Sequence, residues 1–418
     1  MPGPTSIPAR VAQALAEPII DHRGPEFAAR TRQLLPMVSD LFRTTQPVVI
    51  YPSSGTGAAE AALVNTLSPG DLVLAFNSGF FAERWNEIAT RYGLRVRLAR
   101  GDWEHAVRVE DLAAALREDR SHHVKAVLAV HSETSTGLTA PIAGIREALD
   151  EAGHPALLLV DAISSLGTMS YEHDSWGADV TIASSQKGLM LPPGLGFNAV
   201  SARALAAAGS AGLPRSYWAW SPILEANKDG YYPYTPPISL LAGLHESVLM
   251  IAEETLPKVQ ARHAALARLT RETITGWGLD IVGPGEPHSN SLTAFWLPPG
   301  LDSAAVHRFL IERYDISLGK GLGQFAGRVL RVGHLGDMDI PTLTAALAAL
   351  HAGLAEAGAL PASATPGIAS PGAPPAAASP GAPPAAASPG APPAAASPGA
   401  DGAGTLPSSL GAPGEQAR

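Results

Sequence analysis

The 418-residue sequence contains no cysteine. That absence removes disulfide staples, thiolate metal sites and cysteine nucleophiles together. Charged residues make up only 16% and aromatic residues 6%, and the net charge is −9. With no dense Lys/Arg stripe, a nucleic-acid surface is not expected. No apolar run reaches membrane-spanning length, and the N-terminus lacks the basic-then-apolar order of a signal peptide. A soluble, cytoplasmic chain with no membrane partner is therefore expected. A dinucleotide enzyme needs a glycine fingerprint after its first strand and an acid about twenty residues later; no convincing pairing of that kind occurs. The histidines, His122-His123 included, lack metal-ligand spacing, so no metal is expected.

What is present is a chain of two materials. Hydrophobic residues make up 46% of it, and the length suffices for a large catalytic unit of two subdomains. From Leu360 onward the residues are almost all Pro, Ala, Gly and Ser, with the nonapeptide PGAPPAAAS starting at Pro371, Pro380 and Pro389. Nothing there is large enough to offset the entropy of ordering, so a disordered, partly polyproline-like tail is expected over 359–418.

Before the tail, short apolar runs alternate with amphipathic helical patterns. Strands are expected at Leu72–Phe76, Leu94–Leu98, Val124–Val130, Ala156–Val160, Val180–Ala183 and Gly196–Val200. Helices are expected at Thr56–Leu67, Phe81–Tyr92, Glu110–Arg117 and Ile142–Glu151. That order implies an α/β fold, a largely parallel sheet covered on both faces. Two long helices, Ser239–Glu254 and Leu256–Gly276, lead into shorter elements: strands near Leu292–Leu297 and Val329–Val332, and helices near Ser303–Tyr314 and from Pro341. The expected division is an N-terminal arm over 1–20, a large domain over 21–255 and a smaller α+β domain over 256–358.

Four places carry chemistry. Lys187 follows one apolar run, and Asp161 ends another, Leu157–Val160. A lysine and an aspartate after two strands are what a pyridoxal phosphate site requires: the amine condenses with the cofactor aldehyde, and the carboxylate keeps the pyridine nitrogen protonated. Alone, Lys187 reads as a solvated loop lysine, and Asp161 reads equally as a ligand-facing carboxylate at the sheet edge or as a loop acid or helix cap. Ser54-Gly55-Thr56 opens directly into a helix, whose first N–H groups suit a phosphate or an ordinary N-cap equally. Arg331 lies within the apolar run Val329–Val332, where a guanidinium is costly to bury without an anion. A substrate carboxylate is its natural partner, a structural ion pair its rival.

The order and spacing of longer strings add a resemblance. PGPTSIP (Pro2–Pro8), DHR (Asp21–Arg23), SGTGAAEAALVNTLSPGD (Ser54–Asp71), HSETSTG (His131–Gly137), HPALLLVDAISSLG (His154–Gly167), SQKGLMLPPGLG (Ser185–Gly196), YPYTPPISLL (Tyr232–Leu241) and GLGQFAGRVLRVGHLGD (Gly321–Asp337) run in order from Pro2 to about Gly353. The chain resembles the class V, fold-type I pyridoxal phosphate aminotransferases, the serine–glyoxylate and alanine–glyoxylate branch above all. The fold this implies is a large domain with a mostly parallel, seven-stranded-type sheet and a smaller C-terminal domain. The activity implied is ping-pong transfer of an amino group from serine or alanine to glyoxylate. Aspartate–glyoxylate and ureidoglycine–glyoxylate exchange, or a non-catalytic cofactor-binding protein, are the alternatives.

The resemblance also implies roles. Lys187 would bind the cofactor and move the proton, and Asp161 would pair with the ring nitrogen. Ser54, Gly55, Thr56 and Gln186 would hold the phosphate. Thr134 would approach the ring oxygen, and Phe81 would stack on the ring, with core packing as its rival. Arg331 would hold the substrate carboxylate. Tyr232 and Thr235 would reach the phosphate of a neighbouring subunit, which implies a homodimer with shared sites. Three departures occur: Ser132 where relatives carry Asn, Ala219 where many carry Asp, and Ala162-Ile163 where many carry Gly-Val. The chain also opens directly on PGPT, where relatives carry several residues more, so an earlier start is the expectation.

Overall fold

The computed structural model describes residues 1–360; the expected low-complexity tail lies outside the described residues from Pro361 on. The order of elements is α1 (Ala9–Leu15), α2 (Pro25–Leu41), β1 (Val48–Ser53), α3 (Gly55–Thr66), β2 (Leu72–Phe76), α4 (Phe80–Arg91), β3 (Arg95–Ala99), α5 (Val109–Glu118), β4 (Val124–Val130), α6 (Ile142–Glu151), β5 (Leu157–Asp161), β6 (Val180–Ser184) and β7 (Gly194–Val200). Then follow α7 (Ala202–Ala208), α8 (Trp220–Lys228), α9 (Ile238–Glu254), α10 (Leu256–Gly276), β8 (Leu292–Trp296), α11 (Ser303–Tyr314), β9 (Gly319–Lys320), a 3-10 turn at Gly323–Phe325, β10 (Val329–Gly333) and α12 (Ile340–Glu356).

The larger sheet has seven strands in the order β1-β7-β6-β5-β4-β2-β3. Strands β3, β2, β4, β5 and β6 pair in parallel. β7 runs antiparallel to both its neighbours, β6 and β1. Period-2 alternation puts Leu158 and Val160 into one core and Leu157 and Leu159 into the other, on the opposite face. Strands buried on both faces read as unbroken apolar runs, which is why β4 and β5 were legible.

After α10 the chain builds a three-stranded antiparallel sheet, β8-β10-β9. Its own core gathers Leu266, Ile274, Trp277, Phe295, Leu310, Leu330 and Leu347. Ala359, fully buried, closes that core. Among the described residues no helix is long and apolar enough to cross a membrane.

Candidate active site

Asp161 is the last residue of β5, and Lys187 sits three positions beyond the end of its neighbour β6. Both therefore emerge at the carboxyl edge of the parallel strands, where open α/β sheets collect ligands. Asp161 is buried; its Oδ1 accepts from Ile163 N at 2.8 Å. Burial pushes its carboxyl up to about 7; the Ile163 N–H opposes this, the nearby Glu133 adds to it and Lys187 opposes it. Burial, seconded by the Arg331 charge, pushes the Lys187 amine down to about 8, against the pull of Asp161. Lys187 Nζ donates to the Pro2 carbonyl at 2.6 Å.

Ser54 caps α3, accepting from Gly57 N at a long 3.4 Å. The turn is tight: a Cβ on Gly55 would lie 2.3 Å from Ile163 Cδ1, and one on Gly57 2.1 Å from Ser53 Oγ. The helix start thus packs against Ile163, in the loop after β5, and a helix start presents N–H groups that lack helical partners, an arrangement suited to phosphate.

Arg331, on β10, is buried and donates from Nε to the Lys320 carbonyl (2.9 Å) and from Nη1 to the Thr134 carbonyl (2.6 Å). Its rival explanation, an ion pair, is not what the structure shows: among the described residues no carboxylate pairs with it. Burial lowers its pKa to about 10, and the Glu133 charge opposes that.

The other expected residues divide. Gln186 adjoins Lys187, and its Oε1 is buried without a partner, as is Ser184 Oγ. Thr134 is buried, on the turn that meets Arg331. Phe81 lies in the first turn of α4, half-buried, its ring edge-on to Phe80 at 5.5 Å; its N–H is held by Glu133. Tyr232 and Thr235 stand apart. The Tyr232 ring packs edge-on to Phe27 and its hydroxyl has no partner, while Thr235 is exposed. Neither bonds to the Ser54–Thr56 turn or to Lys187 within the chain. Of the departures, Ser132 spends its hydroxyl on Ser289 (2.7 Å), at the joint between the two sheets.

Two neighbours had no role in the sequence reading, Pro2 and Glu133. Their contacts join residues far apart in the chain, so no local spacing could reveal them; only their presence inside the PGPT and HSETSTG strings marked them.

The residues present fit pyridoxal phosphate. A buried carboxylate with one N–H partner and no cation paired to it suits a protonated ring nitrogen, and two buried oxygens lack partners, Gln186 Oε1 on the residue before the lysine and Ser184 Oγ near Gly55. Sheet, lysine, acid and helix start together define a fold-type I pyridoxal phosphate enzyme. The chain belongs to the aminotransferase class-V family, whose model matches residues 3–330. It is 43% identical to a serine–glyoxylate aminotransferase of Methylorubrum extorquens, over 86% of this chain and 91% of that protein. It is 40% identical to an L-aspartate–glyoxylate aminotransferase of Paracoccus denitrificans, over 88% and 94%. An alanine–glyoxylate aminotransferase from Nostoc sp. superposes with a TM-score of 0.80 at 32% identity, over 84% of this chain and 94% of that one.

Proposed function

We propose that this aminotransferase carries an amino group from a small neutral amino acid, serine first and alanine second, to glyoxylate, in two alternating half-reactions. One observation carries the reading: Arg331 is a buried guanidinium that binds two backbone carbonyls and no acid, and its charge is felt at Lys187. A single fork fits a single carboxylate beside the reacting carbon. Donor and glyoxylate both present that group, so each would occupy the same clamp in turn. Relatives named for serine–glyoxylate exchange recur near this identity.

Aspartate as donor is the second reading, since one relative carries that name. Its side-chain carboxylate needs a second cation. His131, behind the site, is buried and held neutral at about 4 by desolvation, and Lys320 is exposed. Among the described residues Arg331 is the one cation whose charge is felt at Lys187, which favours a neutral donor.

When bound, pyridoxal phosphate supplies the electron sink for the pair left at the donor Cα. The chain does the rest. Arg331 fixes the carboxylate, and Lys187 Nζ takes the Cα proton and returns it. Asp161 would keep its negative charge against the ring nitrogen, and the start of α3 with Gln186 would hold the phosphate. Phe81 and Thr134 would line the ring. Tyr232 and Thr235 would serve the site of a second copy in a homodimer, and the β8-β10-β9 unit with its own core forms the smaller domain, which reaches one residue past the expected 256–358, to the buried Ala359.

The test is a spectrum followed by a donor panel. Purified protein should show visible absorbance from lysine-bound cofactor, lost in Lys187→Ala. Glycine should form from glyoxylate fastest with serine, then alanine, and more slowly with aspartate or ureidoglycine. Turnover led by aspartate would overturn the donor assignment, and absorbance surviving in Lys187→Ala would overturn the site.

A further inference from the structure

Glu133 is fully buried, its charge felt at both Asp161 and Arg331, and it has no part in the transfer proposed for Lys187 and Arg331. Its carboxylate is saturated by donors. Oε1 accepts from Ser135 N (2.9 Å) and Ser135 Oγ (2.7 Å); Oε2 accepts from Phe81 N and Ala82 N, both at 3.1 Å. Ser135 Oγ in turn accepts from Phe80 N at 2.9 Å, so its hydroxyl proton is committed to Glu133. A protonated carboxyl would face only donors. Burial raises its pKa and these donors oppose that, and the bonding pattern requires the anion.

These bonds join two parts of the site. On one side are the first three N–H groups of α4, the turn that carries Phe81. On the other is the Glu133–Ser135 turn, whose middle residue, Thr134, offers its carbonyl to Arg331 Nη1. Gly79 is shaped to admit the acid: it adopts φ +154°, and a Cβ there would lie 2.3 Å from Glu133 Cγ. The negative charge also partners the Arg331 charge at longer range, where no acid is in contact.

We infer that Glu133 is a positioning residue: its carboxylate locks the Thr134 turn to the start of α4, and so fixes the Arg331 guanidinium relative to the cofactor ring and Lys187. The inference rests on the proposed role of Arg331 as carboxylate clamp. Bonds to a charged acceptor are stronger than neutral ones, and losing their geometry should weaken the clamp at least about tenfold.

Glycolate is a suitable probe, because it has the carboxylate of glyoxylate but no carbonyl to react. Its inhibition constant would be measured on the holoenzyme, and cofactor affinity by titrating cofactor-free protein. Glu133→Gln should raise the glycolate constant about tenfold or more and also weaken cofactor binding, with KM rising more than kcat falls. Ser135→Ala, which removes two bonds of the network and keeps the charge, should give a smaller change in the same direction; it carries the test if Glu133→Gln does not fold. Ala89→Gly, buried in α4 within a hydrophobic cluster, controls for simple destabilisation and should leave both constants unchanged. The inference is overturned if Glu133→Gln, or Ser135→Ala in its place, leaves the glycolate constant within about twofold while Arg331→Gln abolishes inhibition. It is equally overturned if Ala89→Gly mimics the effect. Inhibition unaffected by Arg331→Gln would instead sink the clamp reading itself.

Discussion

Lys187 Nζ donates to the carbonyl of Pro2 at 2.6 Å, a bond that joins the loop after β6 to a segment 185 positions away in the chain. The segment that supplies this carbonyl is held on both sides. Thr5 N donates to Gln186 O at 3.1 Å, and glycines make room for it opposite: a Cβ on Gly319 would sit 2.8 Å from Pro2 Cδ, and one on Gly336 3.0 Å from Thr5. Residues Pro2–Thr5 thus pass between the lysine and the small sheet.

Gly3 is the point where that passage is tightest. It has φ +116°, and an added Cβ would lie 2.7 Å from Lys187 Nζ and Cδ. Gly3→Ala should therefore displace the amine and lower kcat about 100-fold or more, since a misplacement of an ångström can cost that much. Circular dichroism and thermal melting should remain near those of the parent. Unchanged turnover would show that the segment gives way without disturbing the lysine.

How much of this was legible follows from where each signal lies. β4, α6, β5 and β6 are continuous local patterns, so Asp161 and Lys187 could be placed after strand ends from the sequence. β1 was missed although Val48–Ser53 is apolar at its start: Pro52 and Ser53 blur its end, and its partner β7 lies far along the chain. The antiparallel direction of β7 is a matter of connection and has no residue signature. α1 and α2 were also unread, α2 because Pro36 interrupts its helical pattern. Long-range contacts such as Glu133 with α4 leave no spacing to find. Arg331 stood out in the sequence because a guanidinium in an apolar strand is costly wherever it is buried, and the structure does bury it, on β10.

The lysine itself should titrate early. Burial and Arg331 hold its amine at about 8, well below its ordinary 10.5. Only the neutral amine attacks an aldehyde, so reconstitution of cofactor-free protein should accelerate with rising pH and level off above a midpoint near 8. Arg331→Gln removes a cation and should move that midpoint up; Asp161→Asn removes an anion and should move it down. Stopped-flow absorbance over a pH series reads both. A midpoint above 10 would mean the amine is solvated in the unloaded protein.

Ala219 offers a separate test of one departure from the relatives. It stands at the N-cap of α8 in an extended conformation (φ −63°, ψ 125°) with no side-chain cap. Trp220 N is taken by Asn65 Oδ1 at 3.2 Å, and Pro222 has no N–H, so Ser221 N is the donor left for a cap. Ala219→Asp should stabilise the fold by about 0.5–1 kcal/mol. If the acid of the relatives serves only the helix, the serine-to-alanine ratio of kcat/KM will not move. A changed ratio with unchanged melting would assign that position to the donor pocket.

Acid should destabilise the unloaded protein well above the carboxylate range, through its histidines. Burial holds His131, His173 and His263 at about 4 and His334 at about 3. Geometry agrees for two of them. His263 Nδ1 donates to Val259 O while its Nε2 accepts from Gly336 N, so a second ring proton would meet an N–H. His334 Nδ1 donates to Asn290 O, leaving Nε2 to accept from Thr293 Oγ1. Unfolded histidine titrates near 6.5, so between that value and 4 the unfolded chain binds the extra protons. The stability is whole above about 6.5 and is lost as pH falls toward 4, at up to about 1.4 kcal/mol per pH unit and histidine. Asp161 works in the opposite sense, because its folded value near 7 lies above the unfolded one, and burial raises Glu133 as well, but these are two groups against four rings, which the lowered His154 and His288 second. From pH 7 to 5 the melting temperature should fall by about 10 °C. His263→Asn should melt lower at pH 7 and depend less on pH. A melting temperature flat between pH 7 and 5 would show that these rings reach solvent or carry their protons in the folded state.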